Sequence, residues 1–115
     1  MPTPLELNKN LAKITRGFYF GPNNTGPNFH DLLADVDYEL ATKKIGDHNS
    51  ILALTFHIQY YIRGLTDVLE GGPLAIRDKF SYDHPVIASE EEWQAMLAST
   101  WREGEQYAKY IEELS

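Results

Sequence analysis

Along the chain, apolar positions recur with the three-four alternation of an amphipathic helix in three separate stretches. The first opens at Thr3-Pro4-Leu5-Glu6. Thr3 is of a type that accepts from first-turn amides, Pro4 suits the first helical position, and Glu6 is spaced to reach back to Thr3. Leu7, Leu11, Ile14 and Phe18 follow at spacings of four, three and four, which predicts a single apolar stripe. Gly21-Pro22 stops this helix, and Asn23 to Pro27 reads as a loop. Phe29, Leu32, Leu33 and Val36 then suggest a short helix, with a further turn or two between Tyr38 and Ile45.

The second long helix is expected to open near Asp47 to Asn49 and run to Leu69. Ile51, Thr55, Ile58, Ile62, Leu65 and Leu69 form its stripe, and Phe56, Tyr60 and Tyr61 widen the apolar surface. Gly71-Gly72-Pro73 stops it, because a glycine takes the left-handed cap and proline cannot continue the helix. The connection from Pro73 to Ala88 carries Leu74, Ile76, Phe80, Tyr82, Val86 and Ile87, which are expected to fold back over the helices, with room for a short strand. The third long helix begins with Ser89 and Glu92, the pattern of a capping box. Trp93, Leu97, Thr100, Gly104, Tyr107, Ile111 and Leu114 continue it at helical spacing. Gly104 on that stripe allows a close helix contact, at a propensity cost of about 1 kcal/mol.

These elements predict an all-α fold, an antiparallel up-and-down helical bundle with three long helices and a short one, in a single domain over residues 1–115. Three helices cover wide apolar faces less well than four. The expectation is therefore that a second copy completes the bundle as a homodimer, or that a fourth helix has been lost after Ser115.

Composition narrows the chemistry. The 115 residues include no cysteine, which removes disulfides, thiolate zinc sites and cysteine nucleophiles and suits a reducing, cytoplasmic setting. Seventeen acids against ten bases give a net charge of -7, which argues against nucleic acid or an anionic membrane as the main partner. No stretch approaches the roughly 18 apolar residues of a membrane span. Phosphate loops, dinucleotide fingerprints and the Gly-x-Ser-x-Gly elbow are absent from the sequence.

Of four histidines, His57 is the candidate ligand. It lies about 100° round the helix from Ile58, on the side shared by Leu54 and Tyr61. A neutral imidazole there could bind a metal through one nitrogen. The plain alternative is a boundary histidine bonded to a carbonyl or a tyrosine, since no His or acid sits four residues away. His48 reads as part of the helix cap, and His30 and His84 as exposed polar residues. Seven acids from Glu90 to Glu113 face only Arg102 and Lys109, which makes this end either a solubilising face or a docking surface for a basic partner. Asn23-Asn24-Thr25 matches the glycosylation pattern, but no secretory signal accompanies it.

The segment HNSILALTFHIQYYIRGLTDVLEGGPL (48–74), with DKFSYDHP (78–85) and EEEWQAMLASTWREGEQ (90–106), resembles the DinB-like (DinB/YfiT-like) helical-bundle superfamily. FYFGPN (18–23) and DLLADVDYELA (31–41) extend the likeness over nearly the whole chain. Metal-dependent hydrolases and low-molecular-weight thiol S-transferases belong to that superfamily. The resemblance implies a four-helix bundle, often dimeric, that binds a divalent metal of the zinc or nickel kind through three histidines. His57 in FHIQYYI matches the first of these, whereas the two histidines of the family's last helix have no counterpart here. Three readings follow: a DinB-like metal-dependent enzyme with an incomplete site; a non-catalytic acidic helical module, such as an immunity-type inhibitor or assembly partner; and a structural dimer that buries the groove between the second and third long helices.

Overall fold

A computed structural model describes residues 3–22, 26–44 and 46–114. The loop residues Asn23 to Thr25, with their glycosylation pattern, and Ile45 lie outside that set. Among the described residues the regular secondary structure is all helical, without a strand. The helices are α1 (Pro4–Phe20), α2 (Phe29–Leu33), α3 (Tyr38–Thr42), α4 (Ile51–Leu69) and α5 (Glu90–Glu112), with a 3₁₀ turn at Asp78–Phe80.

The punctuation follows the sequence closely. Glu6 N–H donates to Thr3 Oγ1 at 3.2 Å, and Glu92 N–H to Ser89 Oγ at 3.2 Å. Asn28 and Asp37 cap α2 and α3 in the same way, at 2.8 and 2.9 Å. The cap of α4 is Ser50, whose hydroxyl accepts from Ala53 N–H at 3.1 Å, and His48 stands exposed before it. At the other end Gly71 adopts φ +94, so that Gly72 N–H reaches Asp67 O at 2.8 Å and Gly71 N–H reaches Val68 O at 3.0 Å. That paired closure needs a left-handed residue, which glycine supplies without a Cβ clash.

The contacts gather into two compact units, residues 1–35 with 101–115 and residues 36–100, so that α5 contributes to both. In the first unit α1 packs on α2. Gly104 of α5 lies against the ring of Tyr19, where an added Cβ would come within 2.8 Å of three ring carbons. Tyr19 is 1 % exposed and Ala12 fully buried, and both lie on this inward face of α1. Rings of Phe18, Tyr19, Phe20, Phe29 and Trp101 form one aromatic cluster at centroid separations of 5.1–6.5 Å. The Arg16 guanidinium bridges Glu105 at 3.0 Å and Glu112 at 2.7 Å, tying α1 to α5. Hydrogen bonds to these two carboxylates raise its pKa above the ordinary arginine value.

In the second unit α3 packs on α4. Trp93 is fully buried and donates from Nε1 to Val36 O at 2.8 Å. The buried residues of α4 are Leu52, Ala53, Thr55, Gln59 and Thr66; of the expected stripe only Thr55 is among them, and Leu65 is 38 % exposed, so the inward face is turned round the helix from that stripe. Thr55 and Thr66 can lie there because each hydroxyl donates to the carbonyl one turn back, at 2.8 and 2.7 Å. The connection after α4 folds back only in part. Ile76 packs on Gly64 and Arg77 N–H donates to Tyr60 Oη at 2.7 Å, but Leu74 and Val86 point to solvent.

Candidate functional site

The residues around His57 come from α4 and from the connection that follows it. The His57 ring stacks on Tyr82, with centroids 4.2 Å apart and planes 7° apart, and Tyr61, one turn on, meets it edge-on at 5.2 Å. Tyr61 is held in turn by Asp78, whose Oδ1 accepts from the phenol at 2.5 Å. That bond is the main reason the Tyr61 pKa lies above the ordinary tyrosine value, with desolvation adding to it. Buried Ser81 donates to Asp78 O at 2.7 Å and pins the turn that carries the carboxylate. The Nδ1 atom of His57 is buried without a hydrogen-bond partner. It is thus bonded neither to a carbonyl nor to a tyrosine, and an unpaired ring nitrogen in such a place is an exception that asks for an explanation.

A metal is one explanation, and the donor set does not fit it. Structural and catalytic sites need three or four protein ligands. Among the described residues no three His, Asp or Glu side chains converge in a ligating arrangement. The four histidines are dispersed: His84 Nδ1 donates to Pro85 O at 2.9 Å, His30 lies on Trp101 with centroids 5.1 Å apart, and His48 is exposed. A cleft of about 350 Å³ opens beside the start of α4, lined by Thr42, Lys44, Ser50, His84 and Ile87 among others. His57 does not line it.

The acidic end of the chain is partly spent on structure. Glu90 accepts from Tyr38 N–H at 3.0 Å and from Gln94 at 2.8 Å, while Glu105 and Glu112 hold Arg16.

The most distinctive surface is one whose exposure the sequence did not reveal. Leu7, Leu11, Ile14 and Phe18 are 48, 43, 68 and 47 % exposed. Their regular spacing read as a core stripe, yet the core side of α1 is the face of Ala12 and Tyr19, roughly 120° round the helix. α1 therefore has two apolar faces, one packed and one about half-exposed, whose Phe18 also packs on Tyr19 and Phe29. An ordered row of large apolar side chains in water is the usual mark of an interaction surface. No helix among the described residues is long and apolar enough to cross a membrane.

Comparison of the chain with protein-family models, with curated proteins and with solved structures finds no match.

Proposed function

We propose that this chain is a helical association module on a DinB-like bundle scaffold, acting by binding through the half-exposed face of α1 rather than by catalysis. The observation that carries the reading is the exposure of Leu7, Leu11, Ile14 and Phe18 in one row on a 17-residue helix. Burying such a row removes apolar area from water at about 25 cal/mol per Å², a driving force that a monomer leaves unused.

The second reading is a DinB-like metal-dependent hydrolase or thiol S-transferase in which His57 supplies one ligand and a partner supplies the others. It is favoured by the unpartnered, buried Nδ1 of His57. Elemental analysis of the purified chain after incubation with zinc or nickel and desalting separates the two. The association reading expects metal far below one ion per chain, unchanged by His57→Ala. Near-stoichiometric metal that His57→Ala removes would overturn it in favour of the enzyme.

A further inference from the structure

The cleft beside the start of α4 has a lining at odds with the rest of the chain. Seventeen acids outnumber ten bases overall, yet among the described residues that line the cleft there is neither Asp nor Glu. Its one permanent charge is Lys44, an exposed ammonium just after α3. Lys44 and the side-chain amide of Asn49, also on the lining, have no hydrogen-bond or ion-pair partner among the described residues. The cleft thus offers an unpaired cation and an unpaired amide donor in a chain whose net charge is -7.

The other polar groups are already engaged. Thr42 Oγ1 donates to Tyr38 O at 2.8 Å, the Ser50 hydroxyl accepts from Ala53 N–H at 3.1 Å, and His84 Nδ1 donates to Pro85 O at 2.9 Å. Recognition of a charged group therefore falls to Lys44 and Asn49. The rest of the lining is aliphatic: Leu52 and Ala53 of α4, with Val86 and Ile87 of the returning connection. His84 pins that connection, through its bond to Pro85 O and through its ring, edge-on to Phe56 of α4 with centroids 6.4 Å apart. Val86 is nonetheless 85 % exposed, so this aliphatic wall is left to water by the protein's own packing.

We propose that the cleft binds a small monoanionic carboxylate with a short aliphatic body, its carboxylate on Lys44 and Asn49 and its body on Val86 and Ile87. One fixed cation matches one negative charge, whereas a phosphate dianion is better served by an arginine fork or several cations. A volume of about 350 Å³ lies at the lower end for small-molecule sites, which suits a ligand of about six to ten non-hydrogen atoms. An exposed ion pair and a shallow wall give weak binding, with a dissociation constant of about 1 mM. The assignment stands apart from the association reading, since no residue of α1 lines the cleft.

Titration of the isotope-labelled full chain with sodium hexanoate, followed by amide NMR shifts, tests this. Saturable shifts are expected at Lys44, Asn49, Ala53 and Ile87. Acetate, which keeps the carboxylate and lacks the body, should bind at least about 5-fold more weakly, and so should inorganic phosphate. Lys44→Glu changes an exposed side chain, so far-UV circular dichroism should not move. It should abolish hexanoate binding and admit hexylamine instead, a reversal of charge preference that a general loss of structure would not produce. Val86→Asp should weaken hexanoate by about 5-fold or more, through lost apolar contact and like-charge repulsion. The absence of saturable shifts up to about 20 mM hexanoate overturns the proposal, and so does hexanoate binding that survives Lys44→Glu. Acetate or phosphate binding as tightly as hexanoate overturns the aliphatic body.

Discussion

Gly104 offers the sharpest check on the packing of α1 against α5. Replacing it with alanine has two effects of opposite sign. Inside a helix alanine is favoured over glycine by about 1 kcal/mol. The added methyl, however, would lie 2.8 Å from three carbons of the Tyr19 ring. Carbon atoms prefer about 3.5–4.0 Å, so the ring would have to retreat by most of an ångström. Tyr19 is 1 % exposed and its ring sits among other aromatic rings, so it cannot swing into solvent. Overpacking of this kind costs about 1–3 kcal/mol, which leaves Gly104→Ala destabilising by about 1 kcal/mol, or roughly 3–5 °C in Tm. Urea denaturation followed by circular dichroism measures it. The decisive comparison is Gly104→Ala in a Tyr19→Ala background, where the obstacle is gone and the propensity gain remains. There the substitution should stabilise by about 1 kcal/mol. Stabilisation of the same size in both backgrounds would refute the close approach of ring and glycine.

Other consequences are simpler to test. Ser89→Ala removes the cap of α5 and should cost about 1 kcal/mol in the same denaturation assay, recovered by Ser89→Asp. Arg16→Met should cost less than about 1 kcal/mol, and the loss should shrink in 1 M salt, because Glu105 and Glu112 are half-exposed. Ultraviolet titration should find one phenol ionising above the ordinary range, and Asp78→Asn should bring it down. Because the folded pKa of Tyr61 is raised, its contribution to stability is complete below the ordinary tyrosine pKa of about 10 and fades as pH rises through the folded value.

Helix starts and stops were legible because they rest on local chemistry. Thr3, Ser89 and Gly71 act within a few residues of themselves, and each does what its type allows. The first half of the α5 stripe was legible too, since Trp93, Leu97, Thr100 and Gly104 are all buried, whereas Ala108 takes an inward position off the stripe and Leu114 is exposed. The inward faces of α1 and α4 were not. In α1 the core side is made by Ala12 and Tyr19, which carry less hydropathic weight than the leucines that face outward. In α4 it is made in large part by Gln59 and Thr66, polar by type, beside Thr55, the one residue of the expected stripe that is buried; the two threonine hydroxyls are bonded to their own helix. Periodicity finds stripes of greasy residues, and here the tertiary packing chose other ones. For His57 the flank position and the proximity of Tyr61 could be read from spacing. The stacking of Tyr82 could not, because it depends on how the connection after α4 returns.

The sharing of α5 between the two units has a practical consequence. Its indoles fall on either side of the division: Trp93, fully buried, belongs to residues 36–100, and Trp101, in the aromatic cluster, to the other unit. These are the only two tryptophans in the chain. Fluorescence is therefore divisible between the units. A Trp101→Phe variant reports the melting of one unit and a Trp93→Phe variant that of the other, while circular dichroism follows the helix that joins them. Coincident transitions would make α5 a rigid coupler that transmits unfolding from end to end, and separated ones would make the Thr100–Trp101 junction a point where cooperativity breaks.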